Sequence, residues 1–263
     1  MTPTTSLPTP LLRILLSGLG LCALMAQPSL ASDAPVGSAH VLVKAEPSSA
    51  RSRWEPTLAA FAKADQDNRP AKGGVLFVGS STIRMWTNLS QDFRDVPVVI
   101  NRGFGGSTMS DCNTFVRELV TQYQPTQVMV YAGDNDLADG RSPEQVVQTF
   151  ASFVAQVRQE LPDSRIVYIS IKPSPLRESL MDKARQTNAL MQRYVAGLPN
   201  AGYVDIFHAM LGPDGRPKAE LFLADRLHLN ENGYRLWRGL IAGHLPQQAP
   251  ATPKPQLAAI SAP

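Results

Sequence analysis

The chain has 263 residues, 43% of them hydrophobic, and its 25 Lys and Arg residues nearly balance its 22 Asp and Glu residues, giving a net charge of +3. So small a charge, with no block of like charges and no basic stripe interleaved with aromatic residues, gives no reason to expect a nucleic-acid partner. The length suits one ordinary α/β domain with tails.

The amino-terminal segment has the pattern of an export signal. Arg13 is followed by an apolar run at residues 14–26, which is too short and too interrupted by glycine to make a good membrane span. Ser29-Leu30-Ala31 then supplies a small-x-small cleavage site. We therefore predict that residues 1–31 are a secretory signal peptide, so that the mature protein is periplasmic or secreted and has no stable membrane span. An uncleaved anchor is the alternative.

Composition divides the rest of the chain. Residues 32–52 are polar, contain Ala, Ser and Pro, and show no periodicity, which predicts a linker. Residues 246–263 are rich in Pro, Ala and Gln, which predicts a disordered tail. The folded domain is therefore expected at residues 53–245.

Strand and helix patterns alternate within that domain, which predicts right-handed crossovers and a parallel sheet of about five strands with helices on both faces. The predicted strands are residues 75–78, 96–100, 127–131, 165–171 and 203–206. The predicted helices are residues 54–64, 110–123, 143–161, 179–198 and 230–244. In such a sheet, ligands bind beyond the carboxyl ends of the strands.

The segments that follow the predicted strands carry small, hydroxyl, amide, carboxylate and imidazole groups. They are Gly79-Ser80-Ser81-Thr82 after the first strand, residues 101–107 (NRGFGGS) after the second, residues 132–136 (AGDND) after the third, and Asp225-Arg226-Leu227-His228 after the fifth. Because these segments meet at one edge of the sheet, we expect their side chains to form a single site.

The residue types suit acyl transfer by a serine nucleophile. A serine hydroxyl needs a neighbouring base, and that base needs an acceptor that orients it. His228 can take the proton from Ser81, and Asp225 can orient the imidazole from three residues away. The tetrahedral intermediate needs preorganised donors, for which the N–H groups of Ser81 and Gly106 and the side-chain amide of Asn135 are candidates.

These segments together resemble the SGNH/GDSL hydrolases, a family of serine esterases and lipases with a flavodoxin-like, three-layer α/β/α fold. Residues 77–86 (FVGSSTIRMW) resemble the first block of the family, and residues 101–106 the second. Gly133-Asp134-Asn135-Asp136 resembles the third block and residues 225–228 the fifth. The resemblance covers about residues 54–245. It implies that Ser81, Asp225 and His228 are catalytic and that Gly106 and Asn135 help to form the oxyanion hole.

One position departs from the family pattern. The family usually has Gly-Asp-Ser at the nucleophile, whereas Ser80 stands here in place of the Asp. Because Ser80 is also a serine, two adjacent hydroxyls are candidates for the nucleophile. Alignment of the blocks favours Ser81.

Plainer interpretations exist for several of these residues. Ser81 could cap the helix that follows, Asp225 could cap the final helix, and Asn135 could be a turn residue. Cys112, the single cysteine left after signal cleavage, has no evident partner as a nucleophile, and the carboxylates lack the spacing of a metal site. Lys172 follows the fourth strand at the same edge, so we predict that it contacts substrate or else satisfies a loop carbonyl.

The predicted function is that of an exported serine ester hydrolase, which cleaves carboxylic esters through an acyl-enzyme without a metal or organic cofactor. Small acyl groups are favoured because no inserted lid or large apolar stretch lies near the site. The expected substrate is a small-molecule, glycan or lipid ester, as for the deacetylases, lysophospholipases and short-chain esterases of the family. The alternatives are a non-catalytic carbohydrate-binding protein on a hydrolase scaffold and an acyltransferase to a sugar. The oligomeric state stays open.

Overall fold

The computed structural model describes residues 47–246, with side chains from residue 51 onward. The predicted signal peptide, most of the predicted linker and nearly all of the predicted tail lie outside these residues. Within them, no helix is both long enough and apolar enough to cross a membrane.

The centre of the fold is one parallel sheet of five strands in the order β2-β1-β3-β4-β5. The strands are β1 (Val75–Gly79), β2 (Val99–Gly103), β3 (Gln127–Tyr131), β4 (Arg165–Ile169) and β5 (Ala201–Val204). The longer helices are α1 (Pro47–Asp67), α7 (Pro143–Glu160), α8 (Met181–Ala196) and α9 (Glu231–Ala242). The shorter ones are α2 (Ser81–Arg84), α3 (Leu89–Asp92), α4 (Met109–Thr114), α5 (Val116–Leu119) and α6 (Asp134–Ala138). Short 3₁₀ segments lie at Thr121–Tyr123, His208–Met210, Ala219–Leu221 and Pro175–Leu180, the last of which is kinked at Arg177.

Two apolar cores cover the two faces of the sheet. Because successive strand residues point to opposite faces, Leu76 and Val78 of β1 enter one core, and Val75 and Phe77 enter the other. Helices α1, α4, α5, α7 and α8 contribute to the first core, and α2, α3 and α9 to the second. Every residue of β1 and β3 is buried, as expected for central strands of a parallel sheet. The predicted three-layer α/β/α fold is confirmed.

The edge strand β2 begins three residues later than predicted. The Val96 N–H donates to the Phe93 carbonyl and closes the turn after α3. Pro97 has no N–H to donate to a strand ladder. Pairing therefore starts at Val99 and runs to Gly103, opposite the last residue of β1.

Several other boundaries differ from the predictions. Helix α1 starts at Pro47, inside the predicted linker, and its first turns are held by an ion pair between Arg51 and Glu118 at 2.5 Å. The single helix predicted at 110–123 is broken at Phe115, whose dihedral angles leave the helical region (φ −110°, ψ 29°). Strand β4 ends two residues early because the Asn188 side chain binds the N–H and the carbonyl of Ile171.

The order of the strands fixes where a site can form. The chain leaves β1 towards β2 on one side and returns to β3 on the other, so the direction of strand addition reverses at β1. A crevice opens beyond the carboxyl ends of the strands at such a point. Ser81 follows β1 and Asn135 follows β3, at the two sides of this crevice.

Candidate active site

Ser81 is placed by a tight turn at the end of β1. The Ser80 N–H donates to the carbonyl of Tyr131 on β3, and the chain then enters α2 at Ser81. Gly79 makes this close approach possible, because a Cβ there would lie 1.8 Å from the Tyr131 oxygen. Its φ of +143° also favours glycine. The turn leaves Ser81 half-buried at the edge of the sheet.

Ser81, His228 and Asp225 form a continuous hydrogen-bonded chain. The Ser81 Oγ lies 2.9 Å from His228 Nε2, and His228 Nδ1 lies 2.7 Å from Asp225 Oδ2. The contact between Ser81 and His228 joins residues 147 positions apart in the sequence. The structure thus brings together the three side chains that were predicted to act as nucleophile, base and orienting carboxylate, in an order that suits those roles.

Backbone N–H groups of the loop before α9 hold the Asp225 carboxylate in place beside the His228 imidazole. The other oxygen of Asp225, Oδ1, accepts the N–H groups of Leu227 and His228, each at 2.9 Å. The hydrogen bond from the His228 side chain, followed by these two N–H groups, lowers the pKa of Asp225 to about 2. Asp225 is therefore a carboxylate at neutral pH and favours the imidazole tautomer that carries its proton on Nδ1.

The two adjacent serines have different surroundings. Ser80 is buried, with 3% of its surface exposed, whereas the Ser81 hydroxyl faces both the cleft and His228. Only the second serine therefore has the geometry of an activated nucleophile.

Three possible oxyanion donors belong to residues that line the cleft at the Ser81 hydroxyl. Within the described part of the chain, the N–H groups of Ser81 and Gly106 donate to no carbonyl. Gly106 has a φ of +80°, in the left-handed region that glycine adopts freely. The Asn135 Nδ2 donates one hydrogen to the Ser107 carbonyl at 2.8 Å, which leaves its second hydrogen for a ligand.

A buried charge network fixes the orientation of the Asn135 amide. The Arg177 guanidinium donates to Asn135 Oδ1 at 2.9 Å and pairs with Asp134 Oδ1 at 2.5 Å. The other Asp134 oxygen pairs with the Lys172 ammonium at 2.8 Å. Although burial raises the pKa of Asp134, the positive charges of Lys172 and Arg177 outweigh it and lower that pKa below its ordinary value. With Oδ1 held by Arg177, the amide nitrogen points to Ser107 and the cleft.

These groups open onto one cleft of about 560 Å³. Its walls are formed by Trp54, Thr57, Ser81, Arg84, Gly105, Gly106, Asn135, Arg177, Leu227 and His228. Elements that are far apart in the sequence thus converge on the Ser81 hydroxyl, and the wall combines hydroxyl, amide and guanidinium groups with two apolar side chains.

The segment that contains the sheet and the cleft is similar to a known protein family. Residues 74–236 match the family model of the GDSL-like lipase/acylhydrolase family. The chain belongs to the GDSL-like lipase/acylhydrolase family. The matched segment runs from β1 to the middle of α9 and contains every residue of the hydrogen-bonded chain described above. Membership makes the protein an ester hydrolase of the GDSL type.

Individual relatives of this GDSL-like hydrolase share its fold over most of their length. It is 27% identical over 194 residues to platelet-activating factor acetylhydrolase IB subunit alpha1 from Homo sapiens, covering 69% of this chain and 78% of the relative. A GDSL-like lipase from Bacteroides thetaiotaomicron superposes with a TM-score of 0.60 at 22% identity, covering 76% of this chain and 98% of the other. An acetylxylan esterase from Geobacillus stearothermophilus gives a TM-score of 0.56 at 15% identity, with coverages of 66% and 94%.

Lys172 of this GDSL-like hydrolase was predicted to contact substrate or a loop carbonyl, but it is buried and binds two side chains instead. Its side chain is only 2% exposed, and its ammonium is held by Asp134 Oδ2 and the Tyr131 hydroxyl. It therefore lies beneath the cleft and acts on it through Asp134. Arg177, which does line the cleft, was missed because it lies in a 3₁₀ turn after β4 and belongs to no block of the family pattern.

Other candidate groups lie away from the cleft. Cys112 is fully buried, and burial raises the pKa of its thiol well above the ordinary value, which suppresses the reactive thiolate. His208 pairs with Asp205 at 2.6 Å on the surface, with 72% of its side chain exposed. Among residues 47–246, no three His, Cys, Asp or Glu side chains are grouped so that they could hold a metal ion.

Proposed function

We propose that this GDSL-like hydrolase is an exported serine esterase that removes small acyl groups, acetyl above all, through an acyl-enzyme. The proposal rests on one observation. The Ser81 Oγ lies 2.9 Å from His228 Nε2, and this imidazole lies 2.7 Å from Asp225, at a cleft where the N–H of Gly106 and the amide of Asn135 are available as donors.

In the acylation step, the Ser81 oxygen attacks the ester carbonyl while His228 Nε2 accepts the hydroxyl proton. The imidazolium is stabilised by Asp225, which stays ionised because its pKa is about 2. His228 then gives the proton to the departing alcohol oxygen, and the acyl group remains on Ser81. In deacylation, His228 takes a proton from water, the hydroxide oxygen attacks the acyl carbon, and the Ser81 oxygen recovers the proton as the acid leaves.

The oxyanion of each tetrahedral intermediate is held by the Ser81 N–H, the Gly106 N–H and the second Nδ2 hydrogen of Asn135. Such donors help most when they are fixed before the charge develops. Arg177 and Ser107 supply that fixation for Asn135, one on each end of its amide. Arg177 is therefore a positioning residue in this mechanism.

The preference for small acyl groups is supported by the surface around the cleft and by the relatives. Among the described residues, Leu176 and Leu223 are the only large hydrophobic side chains with substantial exposure, at 58% and 40%. A long acyl chain needs a wider apolar surface than these two residues offer. The names of the human relative and of the Geobacillus enzyme both specify an acetyl substrate.

Turnover of p-nitrophenyl esters of increasing acyl length tests this function. We expect kcat/KM to be highest for the acetate and to fall for longer chains, with all turnover lost in Ser81→Ala. Turnover unchanged in Ser81→Ala would refute the serine mechanism. Binding of glycans without turnover of any ester would favour the carbohydrate-binding alternative. Transfer of the acyl group to an added sugar in preference to water would favour the acyltransferase.

Export is supported by the sequence of residues 1–31 alone, with its single positive charge, apolar run and small-x-small site. Amino-terminal sequencing of the mature protein after cell fractionation tests it. We expect a new amino terminus at Ser32 in the periplasmic or secreted fraction. An intact Met1 in the cytoplasmic fraction would contradict export.

A further inference from the structure

Arg84 and Arg53 flank the turn that carries Gly106. The Arg84 side chain lies directly against Gly105, since a Cβ built there would be 2.7 Å from its Nε. On the other side, Arg53 extends from α1 and its guanidinium lies 3.5 Å from the Gly106 carbonyl oxygen. Two positive charges therefore stand beside the proposed oxyanion turn, and one of them, Arg84, lines the cleft.

These two guanidiniums differ from the third one in the cleft. Arg177 is paired with the buried carboxylate of Asp134. Within residues 47–246, neither Arg84 nor Arg53 forms an ion pair with any carboxylate. The Arg53 guanidinium stacks over the Trp54 ring at 4.7 Å, which holds it over the cleft wall. Neither charge is therefore neutralised by a carboxylate of the described residues.

Gly105 has a steric reason to be glycine here. No left-handed φ is needed at this position, and the nearest atoms to an added Cβ belong to the Arg84 guanidinium, at 2.7, 3.2 and 3.3 Å. The absence of a side chain at Gly105 therefore lets the guanidinium lie along the turn and reach the cleft, which Arg84 lines together with Ser81 and His228.

We propose that Arg84, assisted by Arg53, forms an anion subsite, so that the natural substrate is an acyl ester whose alcohol half carries a carboxylate or a phosphate. The inference rests on the proposed function. If the acyl group is as small as acetyl, it carries no anionic group, so the negative charge that binds Arg84 must belong to the alcohol half of the ester. A guanidinium offers two parallel donors that fit the paired oxygens of either anion.

A matched pair of esters tests the subsite. The neutral probe is methyl 4-acetoxybenzoate, and the anionic probes are 4-acetoxybenzoate and 4-acetoxyphenyl phosphate, which separate a carboxylate from a phosphate preference. The readout is the ratio of kcat/KM for each anionic ester to that for the neutral ester, so that the intrinsic reactivity of each ester cancels between variants. We expect Arg84→Gln to lower this ratio about threefold to tenfold for the preferred anion, as for loss of one partly exposed charge-assisted contact.

Three further variants sharpen the test. Arg84→Lys keeps the charge and should restore much of the ratio. Gly105→Ala keeps every charge but displaces the guanidinium, so it should lower the ratio as Arg84→Gln does. The control is Arg94→Gln, which removes an exposed arginine before the amino end of β2, at the opposite edge of the sheet, and should leave the ratio unchanged. About 1 M NaCl should reduce the wild-type ratio, because it shortens the Debye length to about 3 Å.

The outcomes distinguish failure of the anion subsite from failure of the proposed esterase function. A ratio that stays within twofold in Arg84→Gln, or that falls equally in Arg94→Gln, overturns the anion subsite while turnover of the neutral ester still supports the esterase. Failure of the wild type to cleave any of the three esters overturns the proposed function, and the subsite with it.

Discussion

Asp136 is a buried carboxyl group whose titration should control the stability of the fold. Its Oδ2 accepts the Met109 N–H at 2.8 Å, and its Oδ1 has no hydrogen-bond partner within the described part of the chain. The residue is 0% exposed. Burial raises its pKa from the ordinary value of 3.8 to about 6, against the opposing effect of the Met109 N–H.

This shift predicts how stability changes with pH. Between the ordinary pKa and the raised one, the folded protein binds more protons at Asp136 than the unfolded chain does, so the free energy of unfolding falls as the pH rises through about 4 to 6. A difference of about two pKa units corresponds to about 3 kcal/mol. The Asp136→Asn variant cannot ionise, and its amide oxygen can still accept the Met109 N–H.

We therefore expect Asp136→Asn to match the wild type below about pH 4 and to exceed its free energy of unfolding by about 3 kcal/mol at pH 8. Urea unfolding of both proteins at several pH values from 4 to 8 measures this difference. The control is Asp139→Asn, an exposed position three residues further on, which keeps Asp136, so its free energy of unfolding should follow that of the wild type across this pH range. A difference between Asp136→Asn and wild type that stays constant across this range would refute the reasoning.

The remaining predictions concern catalysis. Arg177→Gln should lower kcat about tenfold to a hundredfold with a smaller change in KM, because Asn135 loses the donor that orients it; equal activity in steady-state assays would contradict this role. Asp225 has a pKa of about 2, so the pH profile of kcat/KM should contain no step from protonation of Asp225 near the ordinary aspartate pKa, and such a step would contradict its ionised role. Thiol reagents should leave the activity intact, since Cys112 is fully buried; inactivation that matches its modification would oppose this.

The central strands could be predicted from the sequence because every residue in them is buried. β3 was predicted with its observed bounds, and β1 was predicted to within one residue, since both are buried on each face and appear in the sequence as short apolar runs. β2 is an edge strand with a mixed pattern, and Pro97 displaced its start. Phe115, where the predicted helix breaks, is buried in the same core as Trp54 of α1, and the local helical periodicity gives no signal of the break.

The residues of the candidate site likewise include some that the sequence predicts and one, Arg177, that it does not. Ser81, Asn135 and His228 follow strand ends or precede a helix in recognisable blocks, so their convergence follows from the topology of a parallel sheet. Arg177 reaches Asn135 from a 3₁₀ turn, 42 positions away, through a geometry that depends on the buried Asp134. Contacts of this kind arise from the folded packing and leave no spacing signal in the chain.

The identity of the nucleophile, Ser81 or Ser80, is the decisive point of the proposed mechanism. Each serine is replaced by alanine, and the wild type is treated with an organophosphate that traps the nucleophile, followed by peptide mass spectrometry. We expect an adduct on Ser81, a loss of roughly 10⁴–10⁶-fold in kcat for Ser81→Ala, and substantial activity in Ser80→Ala. An adduct on Ser80, or near-normal turnover in Ser81→Ala, would contradict the proposed mechanism.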